Sequence, residues 1–190
     1  MKLSIVNGRL VDPASGLDLA AGAGSAVHVA DGRIAAIGAA PAGFAADRVI
    51  DASGCVVAPG LLDLAARLRE PGFEYKATLE SEMQAAVAGG ITGLACPPDT
   101  DPTLDEPGLV EMLKHRARGI EGTRLFPVGS LTMGLKGEVI TEMAELAEAG
   151  CVGFSQALAP IMDTQVLMRA IQYARTYGFT VWLHPQDPHL

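Results

Sequence analysis

The segment that follows the apolar run at Leu61 carries residues suited to binding a charged ligand. Arg67 and Arg69 lie six and eight positions after Leu61, and Ala65 precedes them. A guanidinium presents a planar fork of N–H donors that suits a carboxylate. It has no lone pair with which to ligate a metal, and the methyl group of Ala65 offers no ligand either. These residue types argue against metal binding here.

His184, which follows a later apolar run, could ligate zinc. Zinc normally needs three protein ligands even in an open catalytic site, so one histidine is insufficient alone. Two interpretations stay open for His184: a retained metal ligand, or a hydrogen-bonded structural residue at a strand end. His28, His115 and His189 lack metal-binding spacing, and we expect them to be exposed. The three cysteines, Cys55, Cys96 and Cys151, also lack such spacing, and we expect all three to be buried thiols.

The composition indicates a folded domain whose partners are small molecules or other proteins. Hydrophobic residues make up 49% of the chain, and the formal net charge is -8. An acidic chain repels phosphate, which disfavours nucleic acid and anionic membranes as partners. The first residues contain no apolar run of signal-peptide length, and no segment is apolar enough to span a bilayer. We therefore expect a cytoplasmic protein.

Residues 1–57 are predicted to form a small β module. Asn7-Gly8 and Asp31-Gly32 are dipeptides of tight hairpins. Short strands are predicted over 3–6, 26–29 and 33–37, with a hairpin over 27–37. A flexible connection is expected over 20–25.

Residues 58–190 alternate strand-like runs with amphipathic helices. The runs begin near Leu61, Ile91, Arg124, Cys151 and Thr180, so a strand recurs about every 30 residues, the length of a βαβ unit. This rhythm predicts an α/β fold with a parallel sheet. A complete (β/α)8 barrel takes roughly 250 residues, so only about five units fit here. Either the chain belongs to a longer protein or something else covers the open edge of the sheet.

Three helices have start and stop signals. Thr78 is predicted to cap a helix that ends at Gly89-Gly90, and Pro107 suits the first turn of a second helix. Asp163 is predicted to cap a third helix that stops at Gly178. Its apolar face is expected to contain Leu167, Ala170, Ile171 and Ala174.

Five motifs, in the same order and at similar spacing, resemble those of dihydroorotases and related cyclic amidohydrolases. They cover 58–72, 88–93, 135–138, 148–155 and 183–187. The resemblance extends over the whole chain. It implies a metal-dependent-hydrolase barrel, represented by about five βα units and preceded by half of a composite β-sandwich.

The resemblance also implies that the usual metal site is degenerate. The family's His-x-His pair falls on Ala65 and Arg67, and the position of an anionic bridging ligand falls on Gln156. Only His184 is retained, while its usual Cys-Glu followers are Pro185 and Gln186. Further family ligands would lie beyond Leu190. We expect no bound cofactor, and no residue is assigned a catalytic role.

Two positions of the family's substrate site remain polar. Arg69 falls where the family uses arginine to bind the substrate carboxylate, and Asp99 falls where an asparagine helps. A carboxylate at Asp99 would repel that anion, so we expect Asp99 to form a salt bridge with Arg67 or Arg69. Arg69 is expected either to bind a ligand or to pair with Glu70 or Asp63, and Asp63 is interpreted as structural.

Three functional hypotheses follow from the resemblance. The first is a non-catalytic dihydroorotase-like protein that assembles with aspartate transcarbamoylase in pyrimidine biosynthesis, with homo-oligomerisation also possible. The second is an active zinc-dependent amidohydrolase that converts dihydroorotate to N-carbamoyl-aspartate at an altered metal site. The third is a truncated product with no function alone.

Overall fold

A computed structural model describes residues 1–186, and the chain divides into two compact units. The first unit, Met1–Pro59, consists of short strands and tight turns. The strands are β1 Lys2–Val6, β2 Arg9–Asp12, β3 Leu17–Leu19, β4 Ala26–Ala30, β5 Arg33–Ile37, β6 Arg48–Asp51 and β7 Val56–Val57. One sheet has the order β5-β4-β1-β6 and the other β3-β2-β7. The three strands predicted here are confirmed.

The predicted hairpin joins β4 and β5 as an antiparallel pair. Asp31 and Gly32 at its tip have φ angles of 52° and 72°. Positive φ at both central residues matches the right-handed twist of the flanking strands, which explains why Asp-Gly was an informative signal.

The expectation that His28 is exposed was wrong. Its side chain is buried between β1 and the end of β5, where Nδ1 lies 2.8 Å from Ser4 Oγ and Nε2 lies 3.1 Å from the Gly38 carbonyl. A carbonyl only accepts, so Nε2 carries the proton and donates to Gly38. A buried polar ring with both nitrogens paired is structural. His115 is exposed as expected, and His189 lies outside the described residues.

The unit from Gly60 onward contains a five-stranded sheet with the order β12-β11-β10-β9-β8. All four neighbouring pairs are parallel. The strands are β8 Leu61–Asp63, β9 Ile91–Cys96, β10 Arg124–Ser130, β11 Gly153–Ser155 and β12 Val181–Trp182. This arrangement is a parallel-strand half-barrel and confirms the predicted fold class.

Helices alternate with these strands: α1 Leu79–Ala88, α2 Pro107–Ala117, α3 Met143–Ala149 and α4 Thr164–Tyr177, with a short 3-10 turn at Met133–Leu135. The Thr78 side chain accepts from the Ser81 N–H, and the Ser81 side chain accepts from the Thr78 N–H. Asp163 accepts from the Gln165 N–H, and Gly178 ends α4 with φ 72°. The predicted caps of α1 and α4 are therefore confirmed. Across residues 1–186, no helix is long and apolar enough to cross a membrane.

Two apolar clusters hold the helices to the sheet. One contains Leu79 and Met83 of α1 together with Leu113 of α2, and the other contains Phe154 of β11 with Ala170 and Ala174 of α4. Ile171, which was predicted to share the apolar face of α4 with these residues, is 42% exposed. The fully buried residues of α4 are the small ones, Ala170 and Ala174.

Candidate functional site

Side chains near the carboxyl ends of the strands line a small, open cavity, at the edge where parallel α/β sheets bind ligands. Its volume is about 230 Å³. The lining residues are Leu64, Ala65, Arg67, Pro97, Val128, Ser155, Ala157, Leu158, Trp182, Leu183 and His184. The structure thus brings together Ala65, Arg67 and His184 of the predicted site.

Arg67 and Asp99 form an ion pair at this cavity. Arg67 Nε donates to Asp99 Oδ2 over 2.7 Å, and each side chain is about one-third exposed, at 32% and 29%. Arg67 follows β8 and Asp99 follows β9, so the neighbouring ends of two parallel strands hold the pair together. One of the two pairings predicted for Asp99 is present.

Gln156 does not line the cavity, although it directly follows β11. Its side chain is buried, and its Oε1 and Nε2 lie 3.0 and 2.8 Å from Thr132 Oγ1. The same hydroxyl accepts from the Gly137 N–H over 2.9 Å. This buried network holds the amide against the loop after β10, so its oxygen is already engaged by a protein donor.

The side chains at the predicted ligand positions do not fit zinc. Ala65 has no donor atom, Arg67 brings a permanent positive charge, and Gln156 is engaged by Thr132. His184 is the one imidazole in the cavity lining within the described residues. Throughout residues 1–186, no three His, Cys, Asp or Glu side chains come close enough to share a metal ion.

Arg69 does not line the cavity but an adjoining groove, whose lining includes Asp63 and Glu82 and shares Ala65 and Arg67 with the cavity. Its backbone has φ 64°, a left-handed conformation that is costly for a residue with a Cβ. Within residues 1–186 it makes no ion pair, so the alternative pairing with Glu70 or Asp63 is absent. The Asp63 carboxylate accepts from the Ala65 N–H over 2.9 Å, which gives it a local structural role.

Glu70 is a buried carboxylate that anchors the start of α1. It is 3% exposed, its Oε2 accepts from the Leu79 N–H over 2.8 Å, and its Oε1 pairs with Arg116 of α2. An anion is favoured at a helix N-terminus because unpaired N–H groups and the helix dipole converge there. The sequence did not predict this contact, because Arg116 lies 46 positions away.

Ser155 and Trp182 were not predicted as cavity residues. Each is the last residue of its strand, β11 and β12, and both line the cavity. Their position at the ends of predicted strands could have identified them, because the carboxyl ends of consecutive parallel strands meet at one edge of the sheet.

The prediction that the cysteines are buried is confirmed for two of the three. Cys96 and Cys151 are buried, and burial raises the pKa of each thiol to about 12. Cys55 is exposed, contrary to the prediction, because it lies in the turn just before β7.

Comparison with known families identifies the chain. The family model described as dihydro-orotase-like matches residues 54–187, more than half of the sequence. The chain belongs to this family. Its curated relatives include a dihydroorotase-like protein of Pseudomonas putida, 47% identical over 190 residues, and another of Pseudomonas aeruginosa, 45% identical. A dihydroorotase of Syntrophotalea carbinolica is 40% identical over 187 residues.

The dihydroorotase-like chain spans less than half the length of these relatives. The matches cover 98 to 100% of the chain but only 43 to 44% of each relative. Among solved structures, it is similar in fold to an L-hydantoinase from Arthrobacter aurescens, with a TM-score of 0.77 and 23% identity over 97% of the chain and 41% of the hydantoinase. A dihydroorotase matches with a TM-score of 0.59, 16% identity and coverage of 98% of the chain and 52% of that protein.

Proposed function

We propose that the dihydroorotase-like chain belongs to a non-catalytic member of its family, which acts as an assembly partner of aspartate transcarbamoylase in pyrimidine biosynthesis. The observation that carries this proposal is the Arg67–Asp99 ion pair at the cavity. A guanidinium stands at the position where the resemblance places a zinc-binding histidine.

The charge and the donor set both argue against metal-assisted hydrolysis. The guanidinium of Arg67 occupies the position of a metal ligand and repels a metal cation at short range, and the ion pair with Asp99 only weakens this repulsion. Zinc activates water by lowering the pKa of the bound molecule, and this requires ligands that hold the ion. Ala65 and Gln156 supply no such ligand, so the residues of this half-barrel do not support that chemistry.

Exposed apolar side chains mark the open edge of the half-barrel. Leu61, Leu62 and Leu64, in and just after edge strand β8, are 54 to 60% exposed. An uncovered apolar strand edge favours association with another polypeptide. A partner subunit, a second copy of the chain or further residues of a longer protein could each provide that cover.

An active amidohydrolase is the second candidate, and His184 is the observation that favours it. Its side chain lines the cavity beside Ser155 and Trp182, where an imidazole could contribute to a metal site. The two candidates differ in a quantity that is simple to measure, the zinc content of the purified protein.

The test is carried out on the product of the complete reading frame, purified without added metal. We expect zinc well below one equivalent per chain by mass spectrometry, no hydrolysis of dihydroorotate above the blank, and comigration with aspartate transcarbamoylase in size-exclusion chromatography. The double variant Ala65→His/Arg67→His is the matched control, since it returns two imidazoles to a cavity that holds His184. It is expected to take up more zinc than the wild type. Stoichiometric zinc together with turnover in the wild type would overturn the proposal.

A further inference from the structure

Asn7 and Gly8 join β1 to β2, and these two strands belong to different sheets. The backbone of Asn7 is left-handed, with φ 69°, a conformation that asparagine adopts more readily than most residues with a Cβ. A Cβ on Gly8 would lie 2.8 Å from Val57 Cγ2 and 3.0 Å from Ala52 Cβ, so a side chain at this position would displace its neighbours. The fold therefore favours asparagine followed by glycine at this junction.

An asparagine followed by glycine can undergo attack by the main chain on the side-chain amide. The Gly8 nitrogen gives up its proton and bonds to Asn7 Cγ, the Cγ–Nδ2 bond breaks, and Nδ2 takes up a proton and leaves as ammonia. Water then opens the five-membered succinimide at either of its carbonyl carbons, which yields aspartate or isoaspartate. Glycine at the second position favours ring closure because no side chain hinders the attacking nitrogen.

The hydrogen bonds around this dipeptide leave the attacking nitrogen free. The N–H groups on either side, of Asn7 and Arg9, donate to the carbonyls of Ser25 and Cys55 over 3.0 Å each. Within residues 1–186, the N–H of Gly8 donates to no backbone carbonyl. No main-chain hydrogen bond therefore has to break before the Gly8 nitrogen attacks.

Asp51, the last residue of β6, holds the side chain that is attacked. Its Oδ1 accepts from Asn7 Nδ2 over 3.0 Å, and from the Ser53 hydroxyl and N–H over 2.6 and 3.1 Å. The bonds from Ser53 and Asn7 hold the pKa of the Asp51 carboxyl below its usual range, so this acceptor is charged at neutral pH. A charged acceptor strengthens the bond to Nδ2 and restricts the side-chain rotation that ring closure needs.

We propose that Asn7–Gly8 is a site of spontaneous deamidation, and that Asp51 slows the reaction by holding the asparagine carboxamide. The product places a second carboxylate beside that of Asp51, where the two like charges repel each other. An isoaspartate also lengthens the main chain by one methylene between two sheets. The modification therefore loosens the junction of β1 and β2. This inference is independent of the proposed function.

The test follows the purified protein during incubation in a mildly alkaline buffer. Peptide mass spectrometry detects the replacement of the Asn7 amide by a carboxyl, and an isoaspartyl methyltransferase detects isoaspartate. Asn7 is the single asparagine of this sequence, so the peptide is readily assigned. We expect the modification to accumulate in the folded protein, more slowly than in the same chain unfolded in urea. A folded protein whose Asn7 stays intact while the unfolded chain is modified would overturn the proposal.

Two identical substitutions at acidic residues of the same unit test the role of Asp51. Asp51→Ala frees the carboxamide and is expected to accelerate the modification at least about threefold, as loss of one exposed hydrogen bond implies. Asp18→Ala removes a carboxylate that pairs with Arg9 instead of Asn7, and it is expected to change the rate less than about 1.5-fold.

A third variant keeps the test decisive if the alanine substitution disturbs the fold. Asp51→Asn preserves the size of the side chain and an uncharged acceptor, and its rate is expected to lie between those of the wild type and Asp51→Ala. Circular dichroism verifies that each variant folds. Equal acceleration by Asp51→Ala and Asp18→Ala would show that local unfolding controls the rate, and a rate unchanged in both Asp51 variants would likewise contradict the role of Asp51.

Discussion

Arg67 Nε lies 2.7 Å from Asp99 Oδ2 and links the segment after β8 to the segment after β9. We expect a double-mutant cycle with Arg67→Ala and Asp99→Ala to give a coupling free energy of about 1 kcal/mol, because both side chains are shielded from water over most of their surface. Urea unfolding of the four proteins measures it. The Arg9–Asp18 pair is the comparison: it is more than half exposed but forms two hydrogen bonds, where Arg67–Asp99 forms one. We expect solvent screening to offset the second bond, so its coupling should not exceed that of Arg67–Asp99. A clearly larger coupling for Arg9–Asp18 would show that the number of hydrogen bonds outweighs burial.

Thr132 is expected to be the central residue of the polar network after β10. Thr132→Val keeps the shape of the side chain but leaves the Gln156 amide and the Gly137 N–H without their buried partner. We expect a loss of about 2 to 3 kcal/mol in the free energy of unfolding. Thr176→Val on exposed α4 removes only a bond to the Gln172 carbonyl and should cost less than about 0.5 kcal/mol. Similar losses in both variants would argue against the network.

Glu70 should be far more important for stability than other acidic residues near α1. Glu70→Ala removes the acceptor of the Leu79 N–H and leaves Arg116 without its partner. We expect a destabilisation of about 3 kcal/mol in chemical denaturation. Glu80→Ala, at an exposed position in the first turn of α1, is the control and should cost less than about 1 kcal/mol. A small effect at Glu70 would show that the buried carboxylate is dispensable.

The three thiols are expected to differ in reactivity. A pKa of about 12 leaves Cys96 and Cys151 almost entirely protonated at pH 8, and both are buried, so neither should react with a thiol reagent in the native protein. Exposed Cys55 should react, which gives one labelled cysteine per chain by mass spectrometry. Cys55→Ser should abolish native labelling, and denaturant should restore two reactive thiols. Labelling of Cys96 without denaturant would contradict its burial.

Local signals were sufficient for most of the half-barrel. Thr78, Asp163 and Gly178 act through hydrogen bonds to residues two to four positions away, so their roles can be deduced from sequence. The side chain of Asp105, just before α2, instead binds a residue that is distant in the sequence. Its Oδ2 accepts a hydrogen bond from the Gly134 N–H over 2.7 Å. A partner 29 positions away has no local signature.

The site was predictable to the extent that it depends on residue type. The resemblance identified Ala65 and Arg67 as ligand positions, and their side-chain chemistry predicts a degenerate metal site, which stays a prediction. The sequence could not determine which arginine pairs with Asp99, because Arg67 and Arg69 are two positions apart and carry the same group. In the structure, Arg69 has a left-handed backbone with φ 64° and lines only the adjoining groove, whereas Arg67 lines both the groove and the cavity.

The strand order of the half-barrel has a consequence for biosynthesis. Each strand from β9 to β12 lies beside the strand that precedes it in the sequence. During translation, a newly emerged βα unit can therefore dock onto one that has already left the ribosome, without waiting for distant sequence. Such nearest-neighbour pairing keeps loop-closure costs low and favours folding that proceeds vectorially from the amino end.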